Sequence, residues 1–233
     1  MSATPGRRLA AWGVHLFTAS GAPVGVLAIL AAVRGDAKTA LFCMAYTLFV
    51  DALDGTLARI LDVKHVVPTV DGTRLDDIVD YSTYVIVPAV FLVSMGMLPT
   101  AATVPVLALM TMSSAIGFAR TDAKTTDHFF TGFPSYWNIT AFYLYVLDWS
   151  PTANAILLTV LSVLVFVPIR YVYPSRTPTL RRLTLGLGCL WTALGLWVLG
   201  TLDAPTPAVV YASLAFPAYY VGLSLVLEIR RLS

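Results

Sequence analysis

Apolar runs long enough to cross a lipid bilayer fill most of this 233-residue chain. A membrane-spanning helix needs about 20 mostly apolar residues. Eight candidate segments run near 11–33, 38–58, 76–97, 101–119, 135–149, 152–172, 183–202 and 206–228. Turn signals at Gly35-Asp36, Leu98-Pro99, Ser150-Pro151 and Asp203-Ala204-Pro205 punctuate them. The fifth segment is short and aromatic. Only 12% of the residues are charged and 58% are hydrophobic, whereas a water-soluble domain carries about 25% charged residues. So little charge excludes a soluble enzyme, a disordered chain and a nucleic-acid binder. The expected fold is therefore all-α: a polytopic integral membrane protein of about eight transmembrane helices, one domain over residues 1–233. The run behind Arg7 and Arg8 reads as the first span, because it is too long for a signal peptide and lacks a small-residue cleavage site.

The basic residues orient these spans. If the segments alternate, one side receives Arg7, Arg8, Arg59, Lys64, Arg74, Arg120, Lys124, Arg170, Arg176, Arg181, Arg182, Arg230 and Arg231. The other side receives only Arg34 and Lys38, so 13 of the 15 basic residues share a side. Positive charge stays cytoplasmic. Both termini are expected in the cytoplasm, as an even span count requires.

Ionisable groups inside spans are costly and point to function. Asp51 and Asp54 sit near the cytoplasmic end of the second segment, and Asp76, Asp77 and Asp80 open the third. Helix positions three or four apart share a face, so Asp51 with Asp54, and Asp76 with Asp80, converge from neighbouring helices. Gathered carboxylates need a cation or raised pKa values. Oxygen-only ligation favours Mg²⁺ or Mn²⁺, ions that clamp phosphates and assist displacement at phosphorus. Gly55, Ala58 and Gly72 beside the acids leave room for a phosphate or nucleotide. Arg59, Lys64 and Arg74 add positive charge at the rim. An acid at a helix start is favourable, so Asp76 and Asp77 alone read equally as caps. That reading fails for Asp51 and Asp54, which lie near a helix C-terminus. A cation pathway or transporter would want acids at midplane and paired halves, and no internal repeat is visible. The three histidines, His15, His65 and His128, show no metal spacing. Glu228 reads as a solvated helix end.

The run Asp51-Ala-Leu-Asp54-Gly55-Thr-Leu-Ala58-Arg59, followed by Gly72-Thr-Arg-Leu-Asp76-Asp-Ile-Val-Asp80, resembles the signature of the CDP-alcohol phosphotransferases, D-x2-D-G-x2-A-R then G-x3-D-x3-D. All eight fixed positions are present. The spacer, residues 60–71, is twelve residues, longer than the family usually has. In that length, and in the stretch from Phe118 to Asn138, the chain is similar to the bacterial phosphatidylcholine synthase branch.

The resemblance implies transfer of the phosphatidyl group of CDP-diacylglycerol to the hydroxyl of choline, with release of CMP. It further implies two bound ions, Mn²⁺ or Mg²⁺, held by Asp51, Asp54 and Asp76. Asp80 would share a metal or stand free as general base. Asp51, Gly55, Ala58, Arg59 and Gly72 would line the nucleotide site. A homodimer in the bacterial inner membrane, with its active site facing the cytoplasm, is implied too.

Choline is a quaternary ammonium, which aromatic faces and a nearby acid can hold. The acceptor-side loop 118–138 is the place to expect them, with Tyr84, Phe118, Asp122, Phe133, Tyr136, Trp137 and Asn138 as candidates. An interfacial aromatic belt is the plainer account of the same rings, and Asp122 has Arg120 or Lys124 as alternative partners. Arg120, Lys124 and Arg176 are candidates to grip the lipid phosphate, against ordinary positive-inside charge. Serine, inositol or glycerol phosphate as acceptor, or a non-catalytic membrane scaffold or transporter, are the alternatives.

Overall fold

The computed structural model describes residues 4–232, and the chain packs as two compact units, one up to Gly96 and one from Met97 onward. Among the described residues, six helices are long and apolar enough to cross a membrane: Pro5–Val33, Ala37–Ile60, Gly72–Ser94, Thr100–Ala119, Arg181–Gly200 and Pro207–Arg231. Leucines, valines and other large apolar side chains on them face outward, Leu9 and Val104 each with 76% of their surface exposed. Such surfaces suit lipid rather than water, and the chain is a helical membrane protein.

The first unit comprises α1 (Pro5–Ala19), α2 (Gly21–Val33), α3 (Ala37–Ile60), α4 (Val63–Val66), α5 (Gly72–Asp80), a wide π-helical turn (Tyr81–Ile86) and α6 (Val87–Ser94). A glycine and alanine stripe explains how it packs. Gly21, Gly25, Ala28, Ala31 and Ala32 are the buried residues of α2, and they let backbones approach closely. A Cβ on Gly21 would stand 2.6 Å from Val79 Cγ1, and one on Gly25 would stand 3.4 Å from both Thr83 and Val87. The stripe therefore draws α2 against α5 and the wide turn, where the acids begin and end. Between α2 and α3, Gly35 takes φ +76° as the left-handed cap of α2. Asp36 then caps α3 by accepting from Thr39 N at 2.9 Å. These bonds to Thr39 hold the Asp36 carboxyl below its ordinary pKa.

The twelve-residue spacer is expected as a loop. It instead folds partly as α4, which starts behind Asp62 at φ 51°. Val63, Val66 and Val67 bury against Ala11 and Val14 of α1, with Ala58 packed on the same cluster. The extra length is thus anchored by valines and does not push α3 and α5 apart.

The second unit holds α7 (Thr100–Ala119), β1 (Phe129–Thr131), α8 (Trp137–Val146), α9 (Pro151–Leu164), β2 (Arg170–Val172), α10 (Arg181–Gly200), α11 (Pro207–Ser213) and α12 (Ala215–Leu232). Two expected segments come out short. α8 has 10 residues and α9 has 14, about 15 and 21 Å at 1.5 Å per residue against a hydrocarbon core of about 30 Å. The segment expected over 152–172 ends its helix at Leu164 because Pro168 cannot continue it. The chain then pairs β2 with β1, Phe130 opposite Tyr171, an antiparallel pair inside an otherwise helical fold. Phe133 N donates to Leu164 O at 3.0 Å and Gly132 N to Ile169 O at 2.9 Å, strapping the 118–138 loop to the end of α9.

Gly21→Ala is expected to lower the thermal unfolding midpoint in detergent, since overpacking a tight contact costs about 1–3 kcal/mol. Adding Val79→Ala removes the methyl it strikes and should restore much of the loss. An unchanged midpoint for the single variant would show that the helices separate freely.

Candidate active site

α5 opens at Asp71, whose Oδ1 accepts from Thr73 N at 3.1 Å and Arg74 N at 3.2 Å. The cap is therefore Asp71. Asp76 and Asp77 lie in the second turn of α5, where no backbone N–H awaits a cap. The capping account of these acids falls on that geometry.

Asp51 of α3 meets Asp76 and Asp80 of α5. Each offers one carboxylate oxygen, all within 4.8 Å of one another, and all three residues are half-buried. Two negative charges at that separation repel by about 3 kcal/mol at an effective dielectric near 20, so the three pairs reach about 10 kcal/mol. That rivals the net stability of a whole domain, about 5–15 kcal/mol. A divalent cation, captured protons or neighbouring donors offset it. Oxygen donors alone, half-open to ligands, fit Mg²⁺ or Mn²⁺.

Asp54, on the same face of α3, is not one of these three. It is buried, its Oδ2 accepting from Thr18 Oγ1 at 2.9 Å and its Oδ1 from Gly55 N at 2.5 Å. Thr18 on α1 carries no sequence signal for this role. Nor does Tyr84, expected as a choline contact. Tyr84 is 3% exposed and its hydroxyl donates to Asp51 Oδ2 at 2.6 Å. The wide turn makes this possible. Pro88 has no N–H for the carbonyl four residues back, that of Tyr84, and the π-helical turn just ahead of α6 absorbs the mismatch. Such turns recur at functional sites.

The nucleotide candidates flank the acids. Arg59 lies over Gly55, where a Cβ would stand 3.3 Å from its Nη1, and Arg59 Nη2 donates to Thr56 Oγ1 at 2.9 Å. Ala58 is packed toward the valine cluster. Gly72 opens α5 against the ring of His15 on α1.

In the second unit, Arg120 grips Asp122 with two bonds, Nε to Oδ1 at 2.8 Å and Nη2 to Oδ2 at 2.7 Å. The Arg120 guanidinium holds the Asp122 carboxyl below its ordinary pKa. Lys124 bridges to Phe130 through its backbone. Arg176 stands over the Tyr173 ring, 5.5 Å from its centroid. Phe118 is half-buried at the end of α7. Trp137 is fully buried, its Nε1 donating to Ser114 Oγ at 2.7 Å, with Phe133 edge-on at 5.1 Å. Tyr136 meets Phe130 and Tyr220 edge-on, and Asn138 is buried with its Oδ1 on Ile139 N at 2.8 Å. Glu228 is not a solvated helix end. It is 8% exposed and paired with Arg231, because α12 packs on β2.

Two membrane helices that gather oxygen ligands for a divalent cation define the site of a membrane-bound, metal-dependent enzyme. The chain belongs to the CDP-alcohol phosphatidyltransferase family, whose profile matches residues 15–167. It is 36% identical over 225 residues to a phosphatidylcholine synthase of Pseudomonas aeruginosa, covering 97% of this chain and 94% of that relative. It is 34% identical over 225 residues to a phosphatidylcholine synthase of Rhizobium meliloti, covering 97% and 93%. A phosphatidylcholine synthase of Legionella pneumophila is 53% identical over 168 residues, which covers 72% of this chain and 66% of that relative, just under two thirds.

Tyr84→Phe removes the donor on Asp51. It is expected to raise the metal concentration for half-maximal activity about tenfold, the worth of one hydrogen bond to a charged group. A raised KM for the acceptor with an unchanged metal requirement would assign Tyr84 to the acceptor instead.

Proposed function

We propose that this chain is a phosphatidylcholine synthase, joining CDP-diacylglycerol to choline. The carboxylate cluster of Asp51, Asp76 and Asp80 carries this reading, and the names of its relatives direct it to choline. The family is divalent-metal dependent. In this chain Asp51, Asp54, Asp76 and Asp80 would hold two ions, Mn²⁺ or Mg²⁺. Bound there, such ions withdraw charge from a pyrophosphate and its departing CMP.

The remaining steps fall to the chain. The choline oxygen attacks the phosphorus that bears diacylglycerol, and the bond from that phosphorus to the CMP oxygen breaks. Asp80 takes the hydroxyl proton as the new bond forms, so the products are phosphatidylcholine, CMP and one proton held at a carboxylate. Asp51, Gly55, Ala58, Arg59 and Gly72 receive the nucleotide, the glycines and Ala58 leaving room that a larger side chain would fill. Arg120, Lys124 and Arg176 meet lipid phosphates. Tyr84, Phe118, Asp122, Phe133, Tyr136, Trp137 and Asn138 are the acceptor-side candidates, of which Asp122 must exchange Arg120 for the ammonium to take part. The whole chain works as one domain in a bacterial inner membrane, its termini and active site cytoplasmic, and as a homodimer.

An acceptor screen tests this. Purified protein receives CDP-diacylglycerol, Mn²⁺ and labelled choline, serine, inositol or glycerol phosphate in turn. The expected result is labelled lipid and CMP with choline alone, lost on adding chelator. Asp80→Asn should keep CDP-diacylglycerol binding and lose turnover by about 100-fold or more, the usual worth of a general base. Product with another acceptor only would retain the chemistry and overturn choline.

A further inference from the structure

α1 lies outside the aspartate signature, yet it presents two buried polar side chains to it. His15 is 5% exposed and Thr18 is 7% exposed, and a spacing of three places them on one helical face. Thr18 is accounted for by its bond to Asp54. His15 is not. Its Nε2 is buried without a hydrogen-bond partner among the described residues. Buried polar atoms nearly always have a partner, and leaving one unpaired is costly. The ring is held edge-on by Trp12 at 5.9 Å, so it cannot swing away without losing that contact. Its Cε1 and Nδ1 lie 3.4 and 3.9 Å from where a Cβ on Gly72 would be. The missing side chain of Gly72 thus leaves the imidazole beside the opening of α5, one turn from Asp76. The ring turns its Cε1 edge to the glycine gap, and the unpartnered Nε2 is the next atom along from Cε1; beside acids that take a cation, it suits a polar ligand atom that arrives with that cation.

We propose that His15 is a nucleotide-contacting residue, its Nε2 completing a hydrogen bond to the cytidine diphosphate part of the donor beside Gly72. This rests on the reading of the site as a CDP-diacylglycerol site. His15 takes no part in proton transfer from the acceptor, which is the task of Asp80. Its effect therefore falls on nucleotide affinity and leaves the acceptor's alone. Thr18 and His15 together make α1 the third wall of the site, one residue steadying a signature carboxylate and the other meeting the donor.

The test is CMP binding by the purified full chain in detergent with Mn²⁺, measured by calorimetry, with choline KM measured alongside. His15→Ala is expected to raise the CMP dissociation constant about tenfold, the worth of one buried hydrogen bond. Choline KM should stay within about twofold, because a hydrogen bond lost at the acceptor would move it about tenfold. His15→Gln, whose amide nitrogen reaches the Nε2 position, should recover most of the affinity, and His15→Phe, which fills the space without a nitrogen, should not. Should the alanine variant fail to fold, the glutamine and phenylalanine pair decides the matter alone. A dissociation constant unchanged in His15→Ala, or equal in the glutamine and phenylalanine variants, overturns the proposal and leaves the donor site standing. No CMP binding by the unsubstituted chain overturns the donor site and this inference together.

Discussion

The mutual repulsion of Asp51, Asp76 and Asp80 is the constraint around which the first unit is built. Three carboxylate oxygens within 4.8 Å of one another would drive two helices apart, and neither helix gains anything by bringing them together. Something else must hold α3 and α5 in place, and it must be strong enough to keep the site formed before any cation arrives. That work falls on apolar and small residues remote from the chemistry. Gly21 and Gly25 let α2 lie against Val79, just before Asp80, and Thr83, three residues after it. The valines of the spacer pack the end of α3, through Ala58, onto α1. A site of like charges stays assembled because its scaffold is close-packed where the charges are not.

Hydrogen bonds then assign different tasks to acids that look equivalent. Asp54 is buried and receives Thr18 and a backbone N–H. Two donors fix its rotamer. Asp51 receives the Tyr84 hydroxyl on Oδ2 and also contributes a carboxylate oxygen to the cluster. One hydroxyl therefore orients a ligand without withdrawing it, the arrangement expected of outer partners at metal sites.

Much of this was legible in the chain. The apolar runs give the long helices because 20 apolar residues in a row have few other solutions. The spacing of Asp51 with Asp54, and of Asp76 with Asp80, gives two faces because a helix turns every 3.6 residues. What spacing cannot give is the distance across the helix pair. It groups Asp51 with Asp54 by sequence, whereas the oxygens group Asp51 with Asp76 and Asp80. Tyr84 reads as one aromatic among many until a π-helical turn changes which way it points. Thr18 and His15 sit in an apolar helix with no motif around them, so only the packing of α1 on α3 and α5 reveals them. The single signal available was His15 itself, an expensive residue in a run of leucine and alanine.

The spacer shows the same principle from the opposite direction. Length alone predicts a loose loop, and a loose loop between two repelling helices would let them separate. Valine at 63, 66 and 67 removes that freedom by placing three apolar side chains on one side of a short helical turn. Their burial stabilises the connection by an amount of the same order as the repulsion it opposes, since each fully buried valine contributes about 1.5–3 kcal/mol. The extra residues thus act as a strap, and they fasten α1, the helix that carries Thr18 and His15, to the end of α3 and to the connection that leads into α5. Lengthening the connection and recruiting the third wall of the site are one structural event.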